Sequence, residues 1–523
     1  MAKYLIGIDA GTSLVKSVLF DTRGNEIYVS KQKTEVLSPN PDWSEQDMNS
    51  VFIATVRTLN DVIVSSGISP DDIVAIGLTA QGDGCWMIDK DGNPVRNAIL
   101  WSDGRAADLI NQWQKEGICD KAYNICGSSL FPGAQGAILR WLKDNEPHNA
   151  SKIAYAFYCK DWLRFKLTGV IATDETDASL PFFDIVNRTY SDETLEYYGI
   201  KDMRKMLPEV IPASEAISYI KDDIAEVTGL RKGTPLVTGP FDVVSTAIGV
   251  DAIHSGIGCS IVGTTCFNEV TMDTPDITPL NVGMTIAHGI PGKWMRALGA
   301  MNGTPNLDWF IDQIAKAEKD AAKILGINLY KYFEDKVKNI PIGSNGVVYH
   351  PYISPGGERA PFVKPSAKAQ FMGICLNNTK YDMLRAVYEG VAMEMLDCYK
   401  HMPGEITEIH LSGGGASSDL WCQMFADTTG KVIKVPAGSE FGAKGAVINA
   451  AVAIKLFSDY DEAISHMVRF ERLYEPDMSN HKEYEKLYNL YKTIYMTNWN
   501  MWDELGETMK EMQQKRMMKQ LLA

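Results

Sequence analysis

The 523-residue sequence is short of histidine, of cysteine in any metal or redox spacing, of long apolar runs and of clustered basic charge. The eight histidines include no His-x-x-x-His pair, so each reads as a surface or core residue and none as a metal ligand. Nine cysteines lie scattered from Cys85 to Cys422 without a Cys-x-x-Cys pair, which argues against a structural zinc site and suits a reducing compartment. Lys and Arg total 51 against 66 Asp and Glu, a net charge of −15. Phosphate backbones demand clustered cations, so no nucleic-acid partner is expected, while ATP, whose site can be built locally, stays admitted. No apolar stretch approaches the roughly 20 residues that span a bilayer. The opening MAKYLIGIDAG lacks the apolar core and cleavage site of a signal peptide, and the reading is a cytoplasmic protein with no membrane partner.

What is present is a soluble composition, 45% hydrophobic and 22% charged, on a chain too long for one ordinary core. Two domains of roughly 200 to 250 residues each are expected. The segment IGIDAGTSLVKSVLFDTRG (6–24) reads as strand, tight turn, strand. GIGCSIVGTTCFNEVTMDTP (256–275) repeats that pattern near the midpoint, which suggests two related domains, 1–250 and 251–523, each offering a glycine–hydroxyl hairpin to a shared cleft. WSEQDM precedes an amphipathic helix carrying Met48, Phe52, Val56, Leu59 and Ile63 on one face. IVAIGLTAQ (73–81) is a buried strand ending in a polar run, where α/β sheets collect ligands. CWMIDKDGNPV (85–95) reads as a hairpin turning at Asp91-Gly92. Residues 383–402 form a further helix, and the tail from His481 is helical.

The small residues of Asp9-Ala-Gly-Thr-Ser13 let backbone N–H groups converge on a phosphate, with Thr12 and Ser13 adding hydroxyl donors and Asp9 able to hold magnesium through water. An ordinary turn made easy by Gly11 is the other reading. No Gly-x-x-x-x-Gly-Lys motif is present and no helix follows closely, so neither a P-loop nor a dinucleotide fold fits. Gly263-Thr264-Thr265 forms the partner hairpin. Gly413-Gly414-Gly415 leads into a helix, either as a close backbone approach to a nucleoside or as a plain entry loop. In TGPFDVVSTAIGV (238–250), Asp242 follows a strand and a Gly-Pro turn, placed either as the base of a phosphoryl transfer to an alcohol or as a helix cap. Asp83, between Gly82 and Gly84, binds sugar hydroxyls or makes a turn.

Taken in order, these residues resemble the FGGY family of carbohydrate kinases, members of the actin-like, ribonuclease H-like two-domain ATPases. The shared segments run over nearly the whole chain: GIDAGTSLVKSVLFD, WSEQDM, ILWSDGRA, LRWLKDNEP, DWLRFKLTG, ATDETDAS, GPFDVVSTAIG, VGTT, GGERAPF, LRAVYEGVA and SGGGASSDLWCQMFADTTG. The resemblance implies an α/β fold of two domains, each a mixed sheet flanked by helices, with ATP and sugar meeting in the cleft between them. It puts Asp242 on the catalytic base and Asp9 on the magnesium-associated carboxylate. Gly11, Thr12, Ser13 and Lys16 fall on the first phosphate hairpin and Gly263, Thr264 and Thr265 on the second. Asn302 lies by the γ-phosphate loop, and Gly413, Gly414, Gly415, Ala416 and Gln423, with Gly442 and Gly445 nearby, on the adenosine region. Gln81, Asp83, Trp101, Asp103 and Asp242 fall on sugar contacts.

The implied cofactors are ATP and Mg²⁺, and the implied partner is a small sugar or polyol, with a homodimer allowed. Glu358 and Arg359 of GGERAPF read as an ion pair that stiffens their domain. Ketopentose kinases of the xylulokinase type carry histidine at the Asp83 position, and glycerol kinases an Arg-Glu pair at Gly82-Asp83. Neither pattern is met; AQGDG, YCKDWL and GCSIVGTT look most like erythritol kinases, which implies erythritol or a related short polyol first, and SPNPDWSEQDM and FDVVSTA are similar to L-xylulose kinases, which puts L-xylulose or another ketopentose next. A D-ketopentose kinase, or an actin-like structural or chaperone protein, is the alternative. The family's usual lysine before LRWLK is Ile138 here, which leaves the role of that position open.

Overall fold

The computed structural model describes residues 3–522. Two compact units interleave along the chain. One takes the residues up to Ser255 with Thr271–Arg296 and Pro436–Arg469; the other takes Gly256–Val270, Ala297–Val435 and the residues from Phe470 onward. Among the described residues, no helix is long and apolar enough to cross a membrane. All nine cysteines are free and seven are buried, so most are core thiols.

The first unit is built on β1 (Tyr4–Ala10), β2 (Leu14–Asp21), β3 (Glu26–Lys33), α1 (Met48–Ser66), β4 (Ile73–Ala80), α2 (Cys159–Thr168), β5 (Ile217–Tyr219), β6 (Pro235–Thr238), α3 (Asp242–Gly249) and α4 (Phe441–Ala453). Its sheet runs β5-β6-β4-β1-β2-β3. Strand β1 is antiparallel to β2 and parallel to β4, so the sheet is mixed. Alternation divides β1 between two cores: Ile6 and Ile8 face α1 and Trp162 of α2, while Leu5 faces Ala443 and Val447 of α4.

Helix α1 lies where the periodicity puts it. Its buried face runs Met48, Val51, Ala54, Thr55, Thr58, Leu59, Val62 and Ile63, which keeps Met48, Leu59 and Ile63 of the expected stripe and leaves Phe52 and Val56 half-buried, and Thr58 shares a hydrogen bond with Ser17 of β2 at 2.8 Å. Helix α4 has all 13 residues buried and reaches the sheet through missing side chains: a Cβ on Gly7 would lie 2.4 Å from Ala443 O, and one on Gly77 2.2 Å from Ala446 O. Against α3, a Cβ on Gly445 would lie 1.7 Å from Ser245 O.

The expected hairpin at 85–95 is only partly formed. Trp86–Ile88 pairs with Tyr155–Phe157, and the return arm is a lone bridge between Ile88 and Pro94 with Val95 N–H on Met87 O at 3.0 Å. Pro94 has no N–H to extend a ladder. Ile138 is fully buried in the unit's other apolar cluster, which makes that position a core residue.

The second unit carries β7 (Ile257–Val262), β8 (Cys266–Met272), β9 (Trp294–Ala300), α5 (Lys380–His401), β10 (Glu408–Ser412), α6 (Asp419–Thr429), β11 (Val432–Pro436), β12 (Phe470–Tyr474), α7 (Met478–Thr497) and α8 (Trp499–Leu522). Its strands follow the order β9-β8-β7-β10-β11-β12. Strand β7 is antiparallel to β8 and parallel to β10, which repeats the local plan of β2-β1-β4.

Candidate active site

The β1–β2 register sets Asp9 opposite Lys16. The hairpin closes with Gly11 N–H on Leu14 O at 2.9 Å, leaving Thr12 half-buried and Ser13 exposed. Lys16 Nζ stands 3.9 Å from Asp9 Oδ2 and 2.8 Å from Glu440 Oε2, while Lys31 Nζ holds Glu440 Oε1 at 2.6 Å. Burial raises the Asp9 carboxyl above the usual range; Lys16 opposes this and Glu440 adds to it. A Cβ on Gly442 would lie 3.1 Å from Asp9 Oδ2, so glycine keeps that carboxylate open. Gly442 and Gly445 thus belong to the first unit, beside Asp9 and Ser245.

Asp242 is the first residue of α3, after the cap residue Phe241. Its Oδ1 accepts the Val243 N–H at 2.8 Å, so the side chain points at the helix start without capping it. Burial first, then the nearby charges of Asp9 and Asp83, pushes its pKa up to about 7. The three carboxylates therefore share one field. Behind Asp242, Phe241 N–H donates to Thr176 Oγ1 at 3.1 Å, and Thr176 Oγ1–H donates to Asp174 Oδ1 at 2.5 Å. Asp174 Oδ2 in turn holds the fully buried Lys160 Nζ at 2.7 Å, which also reaches Asp177 at 2.9 Å and Asp161 at 3.1 Å.

Asp83 adopts φ 54°, a left-handed turn that aspartate tolerates better than most residues. Gln81, Trp101 and Thr12 meet: Trp101 Nε1–H donates to Thr12 Oγ1 at 3.1 Å, and Thr12 Oγ1–H donates to Gln81 Oε1 at 2.8 Å. Asp103 is turned into the protein. Its carboxylate accepts from Ser44 N–H at 2.7 Å, Arg105 N–H at 2.9 Å and Arg105 Nε at 2.8 Å. It braces the Trp101 loop.

The WSEQDM segment supplies the brace. The Arg105 guanidinium sits 4.0 Å over Trp43, and Glu45 binds both Arg105 and Arg96. Asp47 caps α1 by accepting from Ser50 N–H at 2.6 Å.

In the second unit the Gly263–Thr265 turn is bonded to the loop that starts the helix Pro305–Ile314. Gly303 N–H donates to Thr264 O at 3.0 Å, and Thr304 N–H to Gly263 O at 2.8 Å. Asn302 adjoins this loop, its Oδ1 buried and unbonded among the described residues. Glu358 steadies the same loop: its Oε1 accepts N–H bonds from Met301 and Arg359 at 2.9 Å and from Ala360 at 3.3 Å, while Arg359 Nε donates to Gly299 O at 3.0 Å. Backbone bonds carry the stiffening expected of GGERAPF.

Gly413, at φ 85°, lets the glycine turn press on β7; a Cβ there would lie 2.6 Å from Val262 O. Gly414 faces open space, and Ala416 O accepts from Arg472 Nη2 at 2.8 Å. Gln423 points along α6, its Nε2 donating to Asp427 Oδ1 at 2.8 Å and Glu475 O at 2.9 Å.

Sequence reasoning missed Glu440, Gln46, Thr176 and the Lys160 cluster. The one signal for the Lys160 cluster was the pair of charges in YCKDWL; Glu440, Gln46 and Thr176 sit in polar segments, GSEFGAKGA, WSEQDM and DETDAS, that read as surface.

Comparison with known proteins accounts for this arrangement. The model of the N-terminal domain of the FGGY family of carbohydrate kinases matches residues 4–249, and that of the C-terminal domain residues 258–454. An erythritol kinase of Brucella abortus is 31% identical over 96% of this chain and 98% of its own length. An L-xylulose/3-keto-L-gulonate kinase of Escherichia coli is 30% identical over 94% and 97%. A solved xylulose kinase of Lactobacillus acidophilus superposes with a TM-score of 0.88 at 24% identity, over 96% of this chain and all of that one; it shares the α/β fold. Matched over both domains, the chain is a phosphotransferase and belongs to the FGGY family of carbohydrate kinases.

Proposed function

We propose that this kinase transfers the γ-phosphoryl group of ATP to a hydroxyl of erythritol or a related short polyol, with Asp242 as general base. The observation that carries this reading is the Asp242 carboxyl, pushed up to about 7 by burial and by Asp9 and Asp83. A base matched to neutral pH can take an alcohol proton as the oxygen attacks. The oxygen bonds to the γ-phosphorus, the bond to ADP breaks, and the proton stays on the Asp242 carboxyl. The first unit supplies the base and the acceptor wall of Asp83 and Trp101. The Gly11–Ser13 and Gly263–Thr265 turns, with Lys16, supply donors to phosphate oxygens, and Gly413–Ala416 the nucleoside contacts.

Magnesium, when bound, neutralises phosphate charge. Asp9 fits it: Gly442 leaves its carboxylate open, since a Cβ there would lie 3.1 Å from Asp9 Oδ2, and magnesium is commonly held by one or two carboxylates plus the substrate's own phosphates.

The acceptor reading is supported by the erythritol kinase relative at 31% identity and by aspartate at position 83. The L-xylulose/3-keto-L-gulonate kinase at 30% identity favours a ketopentose as second choice. ATP turnover against a panel of four- and five-carbon polyols and ketoses tests both, with erythritol expected to give the highest kcat/KM. Strong preference for a ketopentose would replace the polyol reading, and no stimulation by any acceptor would remove both.

A further inference from the structure

Behind Asp83, four polar groups close a ring of hydrogen bonds within the first unit. Thr12 Oγ1–H donates to Gln81 Oε1 at 2.8 Å, and Gln81 Nε2 donates to Gln46 Oε1 at 3.0 Å. Gln46 Nε2 then donates back to the Thr12 carbonyl at 2.9 Å. Trp101 Nε1–H joins from outside, at 3.1 Å from Thr12 Oγ1. Gln46 is 1% and Gln81 3% exposed, so water does not replace a lost partner cheaply.

A threonine hydroxyl has a single hydrogen to donate, and here it is directed at Gln81. Thr12 sits in the turn that faces phosphate in the reading above, while Gln81 and Trp101 end the segments that face the acceptor. Gln81 cannot turn away from Thr12 without breaking its bond to Gln46, and Gln46 is anchored in the short strand Glu45–Gln46. Resting on the kinase reading, we propose that Gln46 is a positioning residue that couples the two substrates: it fixes Gln81 so that the Thr12 hydrogen turns to the nucleotide only after an acceptor engages Gln81. The ring thereby suppresses the wasteful reaction in which water, in place of the acceptor hydroxyl, attacks the γ-phosphorus, the bond to ADP breaks and inorganic phosphate leaves.

Gln46→Met keeps the side-chain length and removes both polar atoms. In the full chain, the ratio of acceptor-free ATP hydrolysis to acceptor-stimulated turnover is expected to rise about fivefold or more, the factor that one hydrogen bond carries. Acceptor KM should rise, and MgATP affinity, read by calorimetry, should tighten by no more than the same factor, since the Thr12 hydrogen is then free to meet the nucleotide without an acceptor. Because the effect acts through the Thr12 hydroxyl, it should vanish in a Thr12→Val background. An unchanged ratio, or the same rise without the hydroxyl, overturns the proposal. Should Gln46→Met fail a thermal-melt check, Gln46→Leu serves: it also removes the oxygen that accepts from Gln81 and is expected to raise the same ratio. If the unaltered chain is stimulated by no polyol or ketose, the kinase reading falls and the coupling with it; normal stimulation with an unmoved ratio removes the coupling alone.

Discussion

Lys16 and Glu440 form an ion pair of 2.8 Å that draws the lysine ammonium away from Asp9, 3.9 Å distant. Glu440 thereby keeps the half-buried Asp9 carboxylate from being neutralised by its cross-strand partner. Glu440→Gln should let Lys16 settle on Asp9, and the lysine charge would then compete with magnesium. The magnesium concentration for half-maximal turnover at fixed ATP is expected to rise about three- to tenfold, the span of roughly 1 kcal/mol for a partly exposed pair, with acceptor KM unmoved.

Asp242→Asn removes the base and leaves the hairpin donors in place. The kcat is expected to fall at least about a hundredfold, while calorimetric MgATP affinity holds within about twofold. In the unaltered enzyme, kcat/KM should rise with pH along a one-proton limb centred near the Asp242 pKa of about 7 and level off above it. The sign for stability is opposite. A carboxyl whose pKa is raised by folding binds more protons folded than unfolded, so its presence destabilises progressively from about pH 4 to pH 7 and uniformly beyond. The variant should therefore melt at a higher temperature than the parent, with the larger gain at pH 8 and the smaller at pH 5.

Asp83→Ala should raise acceptor KM about tenfold or more with ATP KM within about twofold, because only the acceptor wall loses a hydrogen-bonding group. Equal changes in both constants would mark Asp83 as a turn residue. Asp83→Asn, which also tolerates a left-handed backbone, separates the loss of charge from strain at φ 54°.

Gly445→Ala tests the packing that brings α4 against α3. The added Cβ would lie 1.7 Å from Ser245 O, a backbone overlap that no rotamer relieves. A loss of about 3 kcal/mol or more is expected in urea unfolding, with kcat depressed as well, since α3 begins at Asp242.

Thr176→Val removes the hydroxyl that accepts the Phe241 N–H and donates to Asp174. The buried amide left without a partner should cost about 1 to 3 kcal/mol of stability. The kcat should fall about tenfold with little change in either KM, while Thr176→Ser, which keeps the hydroxyl, restores it.

Local pattern carried much of this protein. The Asp9 and Gly263 hairpins, the buried strand 73–81, helix α1 and helix α5 follow from alternation, turn residues and helical spacing, all of which act between near neighbours in sequence. The roles of particular side chains were less legible. Trp101 and Asp103 stand two residues apart in one motif, yet Trp101 bonds Thr12 while Asp103 is enclosed by Arg105 and Ser44. Spacing cannot separate them, because the difference depends on which way a loop is braced by WSEQDM, more than fifty residues earlier.

The sequence by itself determined the family, the mixed α/β plan and the doubled hairpin, because these rest on short-range periodicity and on ordered motifs. Only the tertiary structure decided that Pro436–Arg469 folds into the first unit, that Glu440 there holds Lys16, and that Gln46 closes a ring with Thr12 and Gln81. Each of those depends on a carboxylate or amide finding its partner across a long stretch of chain, and burial, which makes an unpaired polar group costly, is a property of the packed molecule alone.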